Sequence, residues 1–178
     1  MDTTKAERIA NELIRRHLEL SMFWSFRYSN AKRYFGCCRY KILVFKGGEL
    51  TIPGGEIILS RPLTALNSRA QVVDTLLHEI SHAICGPGIG HSKAWKETAK
   101  KLGCRPERCC DTTKLILPPP RYIAECPNCG RQKGFERVRS ISCSKCDNEK
   151  YNPAYRMVFR RNPNALQSSP GGTCDNAG

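Results

Sequence analysis

From Asn67 to Cys85 the chain reads as a helix that has to be enclosed. Val72, Val73, Leu76, Leu77, Ile80, Ala83 and Ile84 recur at helical spacing and cover an apolar surface wider than a surface helix carries. Asn67-Ser68 opens this helix. Whatever else the chain builds must therefore pack around a central helix.

Polar chemistry interrupts that helix at His78-Glu79-Ile80-Ser81-His82. Residues four apart are separated by roughly 40° around a helix axis, so His78 and His82 project from one side and can share a metal ion. Glu79 is one step away and flanks such an ion, which suits a carboxylate that takes a proton from a metal-bound water. Zinc lowers the pKa of that water to about 7. A catalytic zinc also needs a third protein ligand and an open fourth position. Of the two remaining histidines, His17 lies on a distant helix. His91 follows Cys85-Gly86-Pro87-Gly88-Ile89-Gly90, a stretch that ends a helix and lets the backbone double back. The return favours His91.

Residues 4–20 read as an amphipathic helix, with Thr4 as N-cap three residues before Glu7 and with Ile9, Leu13, Ile14, Leu18 and Leu20 near one side. Runs rich in aromatic and β-branched residues follow at Met22 to Tyr28, Tyr40 to Phe45 and Glu56 to Ser60, separated by Gly36, Gly47-Gly48 and Pro53-Gly54-Gly55. They imply three short strands in an antiparallel sheet. After His91, Trp95, Ala99 and Leu102 recur at helical spacing until Gly103 stops the helix. Trp95 reads as a core residue packing that helix, with substrate contact as the lesser alternative. Lys93, Lys96, Lys100 and Lys101 fill its remaining surface.

Beyond Cys109-Cys110, Pro118-Pro119-Pro120 marks a semi-rigid connector and a module boundary. Two C-x-x-C knuckles follow, Cys126 with Cys129 and Cys143 with Cys146, with thirteen residues between Cys129 and Cys143. This spacing predicts a closed four-cysteine zinc site that is structural, replacing the core that some forty residues cannot build. A redox dithiol is the competing reading. Cys37, Cys38, Cys85, Cys104, Cys109 and Cys110 read as small apolar residues rather than as a further metal site. Eleven cysteines, an odd number with four in knuckles, fit a reducing compartment better than a secreted disulfide scaffold. No apolar run approaches a signal sequence or a membrane span, so a soluble intracellular protein is expected, in the cytoplasm or nucleoid, or in a nucleus.

Twenty-nine Lys and Arg against sixteen Asp and Glu give a net charge of +13, which favours nucleic acid over a membrane as partner. Between Pro120 and Arg161 ten basic residues face four acidic ones, interleaved with aromatic rings. That mixture resembles the combination of electrostatics and stacking used on single-stranded nucleic acid. Arg131, Lys133, Arg137, Arg139, Phe135 and Tyr155 are the candidate DNA contacts, although some of the rings must pack the ribbon instead and for any one ring packing is the favoured reading.

The chain resembles the SprT-like zinc metallopeptidases, related in domain plan to the Spartan proteases. The resemblance covers Lys5 to Arg160. It rests on Asn30-Ala31-Lys32-Arg33-Tyr34-Phe35-Gly36-Cys37, Ile57-Ile58-Leu59-Ser60, Leu76-Leu77-His78-Glu79-Ile80-Ser81-His82-Ala83, Gly90-His91, Trp95 and the four-cysteine ribbon. It implies a gluzincin-like or minimal metallopeptidase core with His78, His82 and His91 as zinc ligands and Glu79 as general base. It further implies cleavage, stimulated by DNA, of proteins bound or crosslinked to DNA. Ser92 departs from the pattern, since family members often have glycine after the third histidine.

The expected fold is therefore α+β. A minimal zincin-type core (N-terminal helix, small antiparallel sheet, the helix of His78 and His82, a following helix) occupies residues 1–110. A proline-rich connector spans 111–121, a zinc ribbon 122–161 and a disordered tail 162–178. Two zinc ions are expected, one catalytic and one structural, in a monomer that contacts DNA and DNA-bound protein substrates and no membrane. The alternative is a non-catalytic zinc-containing regulator or scaffold that binds nucleic acid.

Overall fold

The computed structural model describes residues 1–44, 51–107 and 115–165. Gly47-Gly48, Phe45, Cys109-Cys110, the expected boundary at 110 and the tail beyond 165 lie outside the described residues. Helix α1 spans Thr3–His17, and a 3₁₀ turn at Ser21–Phe23 leads into strand β1, Trp24–Ser29. Strands β2 (Gly36–Val44) and β3 (Thr51–Ser60) follow, then helices α2 (Arg61–Leu66), α3 (Arg69–Cys85) and α4 (Lys93–Leu102). Strands β4 (Tyr122–Glu125), β5 (Gln132–Phe135) and β6 (Val158–Arg161) complete the order. The fold is mixed α+β, in two compact units divided between Leu117 and Pro118.

In the first unit the strands run in the order β1-β3-β2. β2 pairs antiparallel with β3, but β1 pairs with it in parallel, Trp24 opposite Gly55 through Ser29 opposite Ser60. The sheet is thus mixed, not antiparallel as expected. The physical reason lies in β3, which takes the central place: Ile57, Ile58 and Leu59 are all fully buried, as in a strand covered on both faces. Gly54 and Gly55, expected to separate strands, lie inside β3. A Cβ at Gly55 would stand 2.1 Å from the Arg39 carbonyl oxygen and 2.9 Å from the Trp24 ring, so the close crossing requires glycine there.

Helix α3 uses its wide apolar surface in two directions. Val72, Leu76 and Ile80 join Ile57, Leu59, Leu63, Phe35, Trp24 and the α1 residues Ala6, Ala10, Ile14 and Leu18 in one core. Leu77 joins Trp95, Ala99 and Cys104 in a second. Each fully buried aliphatic side chain contributes about 1.5–3 kcal/mol, so these two faces hold α3 between the sheet and α4. Ile84, counted with the apolar surface in the sequence, is exposed.

The caps differ in part from expectation. α1 is capped by Asp2, whose carboxylate accepts the Lys5 N–H at 2.8 Å, and not by Thr4; it ends at His17, leaving Leu20 exposed. Ser68 and Gln71 form a reciprocal capping box on α3. Gly103, at φ 82°, ends α4 in the left-handed conformation.

In the second unit the order is β5-β4-β6, with both pairs antiparallel. Its core consists of Ala124, Cys126, Cys143 and Met157, with Phe135, Tyr155 and Phe159 packed against them. Fewer than a handful of buried aliphatic groups cannot hold such a unit by themselves.

Candidate active site

Helix α3 places His78 and His82 one turn apart, and the return from Cys85 brings a third imidazole back to them. Gly86, Gly88 and Gly90 all have positive φ, 88°, 79° and 56°, conformations that side-chain-bearing residues rarely adopt. His91 Nε2 lies 3.2 Å from His82 Nε2 and 3.1 Å from His78 Nε2. Three nitrogens ligating one ion with bonds of about 2.05 Å in a tetrahedral arrangement would be about 3.3 Å apart. The donor set therefore fits zinc, with a fourth position left to other ligands. Burial, with the neighbouring histidines, pushes His78 down to about 4; burial, with His91, pushes His82 down to about 4 as well. Both rings are neutral at pH 7, the state in which an imidazole binds metal.

Glu79 points away from solvent into the space between α3 and β2. Burial raises its carboxyl to about 8, opposed by a hydrogen bond from the Cys38 backbone N–H. Gly36 stands directly over it. A cavity of about 320 Å³ opens here, lined by Tyr34, Gly36, Cys37, Cys38, Tyr40, Glu79 and His82. The Tyr40 hydroxyl donates to the His82 backbone carbonyl and ties the edge strand β2 to the histidine helix.

Trp95 closes the other side. Its ring centroid is 4.6 Å from that of His78, 5.1 Å from His82 and 4.5 Å from His91. Ser92, the departure from the family pattern, is the N-cap of α4, its hydroxyl accepting the Trp95 N–H at 3.4 Å. The turn that carries His91 thus begins α4 without a glycine.

The second cluster also comes together. Cys126 Sγ is 3.8 Å from Cys146 Sγ, and Cys129 Sγ is 3.6 Å from Cys143 Sγ. The edge of a sulfur tetrahedron with 2.3 Å zinc bonds is about 3.8 Å, so this set fits a closed zinc site. Among the described residues these two groups, four cysteines and three histidines, are the clusters that could hold an ion.

Of the candidate DNA contacts, Arg131, Lys133, Arg137 and Arg139 are exposed. Phe135 and Tyr155 pack against the cysteine core instead of standing free, and Phe135 lies 5.2 Å from the Phe159 ring. The Lys133 ammonium sits over Phe135 at 5.8 Å. Sequence reasoning missed the parts played by Gly36, Tyr40 and the Cys38 backbone beside Glu79. Their positions depend on which strand lies against α3, for which the local sequence carries no signal.

A helix bearing two histidines, a third returned to them by a glycine-rich turn and a buried carboxylate beside them make a candidate metal site whose donors are consistent with zinc. The SprT-like family profile matches residues 5–115, and the chain belongs to that family. No curated protein and no solved structure matches it. No helix among the described residues is long and apolar enough to cross a membrane.

Proposed function

We propose that this protein is a zinc metallopeptidase that cleaves proteins bound or crosslinked to DNA and is stimulated by DNA, single-stranded or with single-stranded character. The observation that carries this reading is the convergence of three imidazoles, with His91 Nε2 within 3.2 Å of both His78 Nε2 and His82 Nε2, beside a buried glutamate on the same helix. A two-histidine helix alone would not need Glu79; proton transfer to and from a substrate does.

His78, His82 and His91 would hold the catalytic zinc, and Cys126, Cys129, Cys143 and Cys146 a structural one. Bound at the histidines, zinc supplies Lewis acidity towards a carbonyl oxygen and brings the pKa of a coordinated water to about 7. Glu79 then takes a proton from the attacking water on its carboxylate and delivers it to the departing amine nitrogen. Burial suits it to this task, since a carboxyl held near 8 without metal gains and loses a proton close to neutrality; a dication beside it acts in the opposite direction. The Cys38 N–H holds the carboxylate in place while it does so. The cavity beside Glu79 would receive part of the substrate chain.

Exposed Arg131, Lys133, Arg137 and Arg139 supply the sequence-independent attraction for phosphates, working in a soluble intracellular monomer. The test is cleavage of a DNA-binding protein by the zinc-loaded chain, with and without a single-stranded oligonucleotide and over a salt series. Cleavage that rises with DNA and falls with salt supports the reading. Two bound zinc ions and DNA binding without any cleavage would support a non-catalytic scaffold instead.

A further inference from the structure

We propose that Trp95 is a positioning residue for the histidine cluster: its indole, at the start of α4, sets the ring orientations of His78, His82 and His91 toward a shared zinc ion. The inference rests on reading that cluster as the zinc site, and assigns to one side chain the task of shaping it.

A metal-binding histidine is ordinarily held by a hydrogen bond from its second ring nitrogen to a carboxylate or a carbonyl. Among the described residues, the hydrogen-bond partner of the His78 and His82 rings is His91 alone. Asp74, one turn before His78 on α3, acts on it electrostatically, but its oxygens accept the backbone N–H and the guanidinium of Arg105. For His78 and His82, ring packing does what those hydrogen bonds do elsewhere.

Trp95 is placed for this. It is fully buried, and among the described residues it is the one ring, apart from the imidazoles themselves, that contacts all three imidazoles. His82 is nearly stacked on it at an interplanar angle of 30°, whereas His78 and His91 meet it more steeply, at 63° and 76°. Three different tilts against one rigid surface direct three nitrogens to one point. The indole Nε1–H is buried without a hydrogen-bond partner among the described residues. Phenylalanine would avoid that unpaired donor. What tryptophan adds is a larger face, which contact with three rings at once requires. Its backbone is fixed in turn by the Ser92 cap.

The experiment measures zinc affinity by chelator competition, and the visible spectrum after Co²⁺ substitution, in wild type, Trp95→Phe and Trp95→Leu. The ribbon zinc in the same chain serves as internal reference. Trp95→Leu is expected to weaken the histidine site by roughly 10- to 100-fold, the range for loss of a residue that orients metal ligands, and to shift its Co²⁺ bands. Trp95→Phe falls between it and wild type, and the ribbon site is unchanged in both. If Trp95→Leu does not fold, Trp95→Phe decides: a weaker site with a shifted spectrum supports the proposal. Wild-type affinity and spectrum in the folded variants overturn it. A wild-type chain that binds only the ribbon zinc overturns the reading of the histidine cluster itself, and the proposal with it.

Discussion

Gly36 at the head of β2 and Glu79 on α3 approach so closely that a Cβ at residue 36 would stand 2.6 Å from Glu79 Oε1 and 2.7 Å from Thr75 Cγ2. The buried carboxylate therefore has its place because its neighbour is glycine. Gly36→Ala should displace Glu79 while leaving the three histidines untouched. The expected result is two bound zinc ions with kcat/KM lowered about 100-fold, the effect of an ångström-scale misplacement of a catalytic group. Zinc analysis together with peptidase kinetics checks it; unchanged kinetics would mean that the carboxylate has room to move.

Ser92 caps the helix that carries Trp95. Ser92→Ala should destabilise the first unit by about 1 kcal/mol, as loss of an N-cap does. Ser92→Gly, which restores the residue common in the family, should lose only a few tenths of that amount. Denaturant unfolding of the two variants measures the difference, and equal losses would show that the hydroxyl does no capping.

Among the described residues the buried core of the four-cysteine unit is Ala124, Cys126, Cys143 and Met157, so its folding should depend on the metal proposed for it. Cys143→Ser should reduce the zinc content from two ions to one and make residues beyond Pro118 sensitive to protease. The first unit should keep its zinc and its unfolding transition. Loss of both ions together would contradict two independently held sites.

Glu56 accepts hydrogen bonds from the Lys41 ammonium at 2.7 Å and from Arg27 Nε at 2.9 Å. These contacts, Lys41 first, hold its carboxyl below the usual carboxylate range. A group whose folded pKa is depressed adds stability above its unfolded pKa and loses it as pH falls through the folded value. Wild type should therefore be more stable than Glu56→Gln at pH 7; the difference should begin to shrink near about pH 4, where the unfolded carboxyl protonates first, and close only below the depressed folded value. Melting temperatures across that window decide it. A difference that does not shrink at all as pH falls from about 7 into the acid range would assign the effect to packing.

What the sequence reveals follows the range of the interactions. The helix of Arg69–Cys85 and its two histidines can be read directly because their spacing is a property of a single helix. The glycine stop at Gly103 and the cysteine knuckles are likewise local signals. The parallel pairing of Trp24–Ser29 with Thr51–Ser60 is not, because it depends on which strand takes the most buried place, a competition among residues thirty positions apart. The same holds for Gly36 and Tyr40: a glycine before a strand looks like a turn until a carboxylate is found above it. Trp95 can be read as buried from its spacing. That it is buried against three imidazoles depends on the return through Gly86, Gly88 and Gly90.

Glu79 either transfers protons for peptide hydrolysis or is a structural group beside a metal. Purified wild type and Glu79→Gln, each assayed for zinc content and for cleavage of a DNA-binding protein in the presence of single-stranded DNA, distinguish the two roles. A proton-transferring Glu79 implies equal zinc in both proteins and a rate at least about 100-fold lower in the variant, as expected for removal of a general base. Equal zinc with equal cleavage, or with no cleavage by either protein, would contradict it.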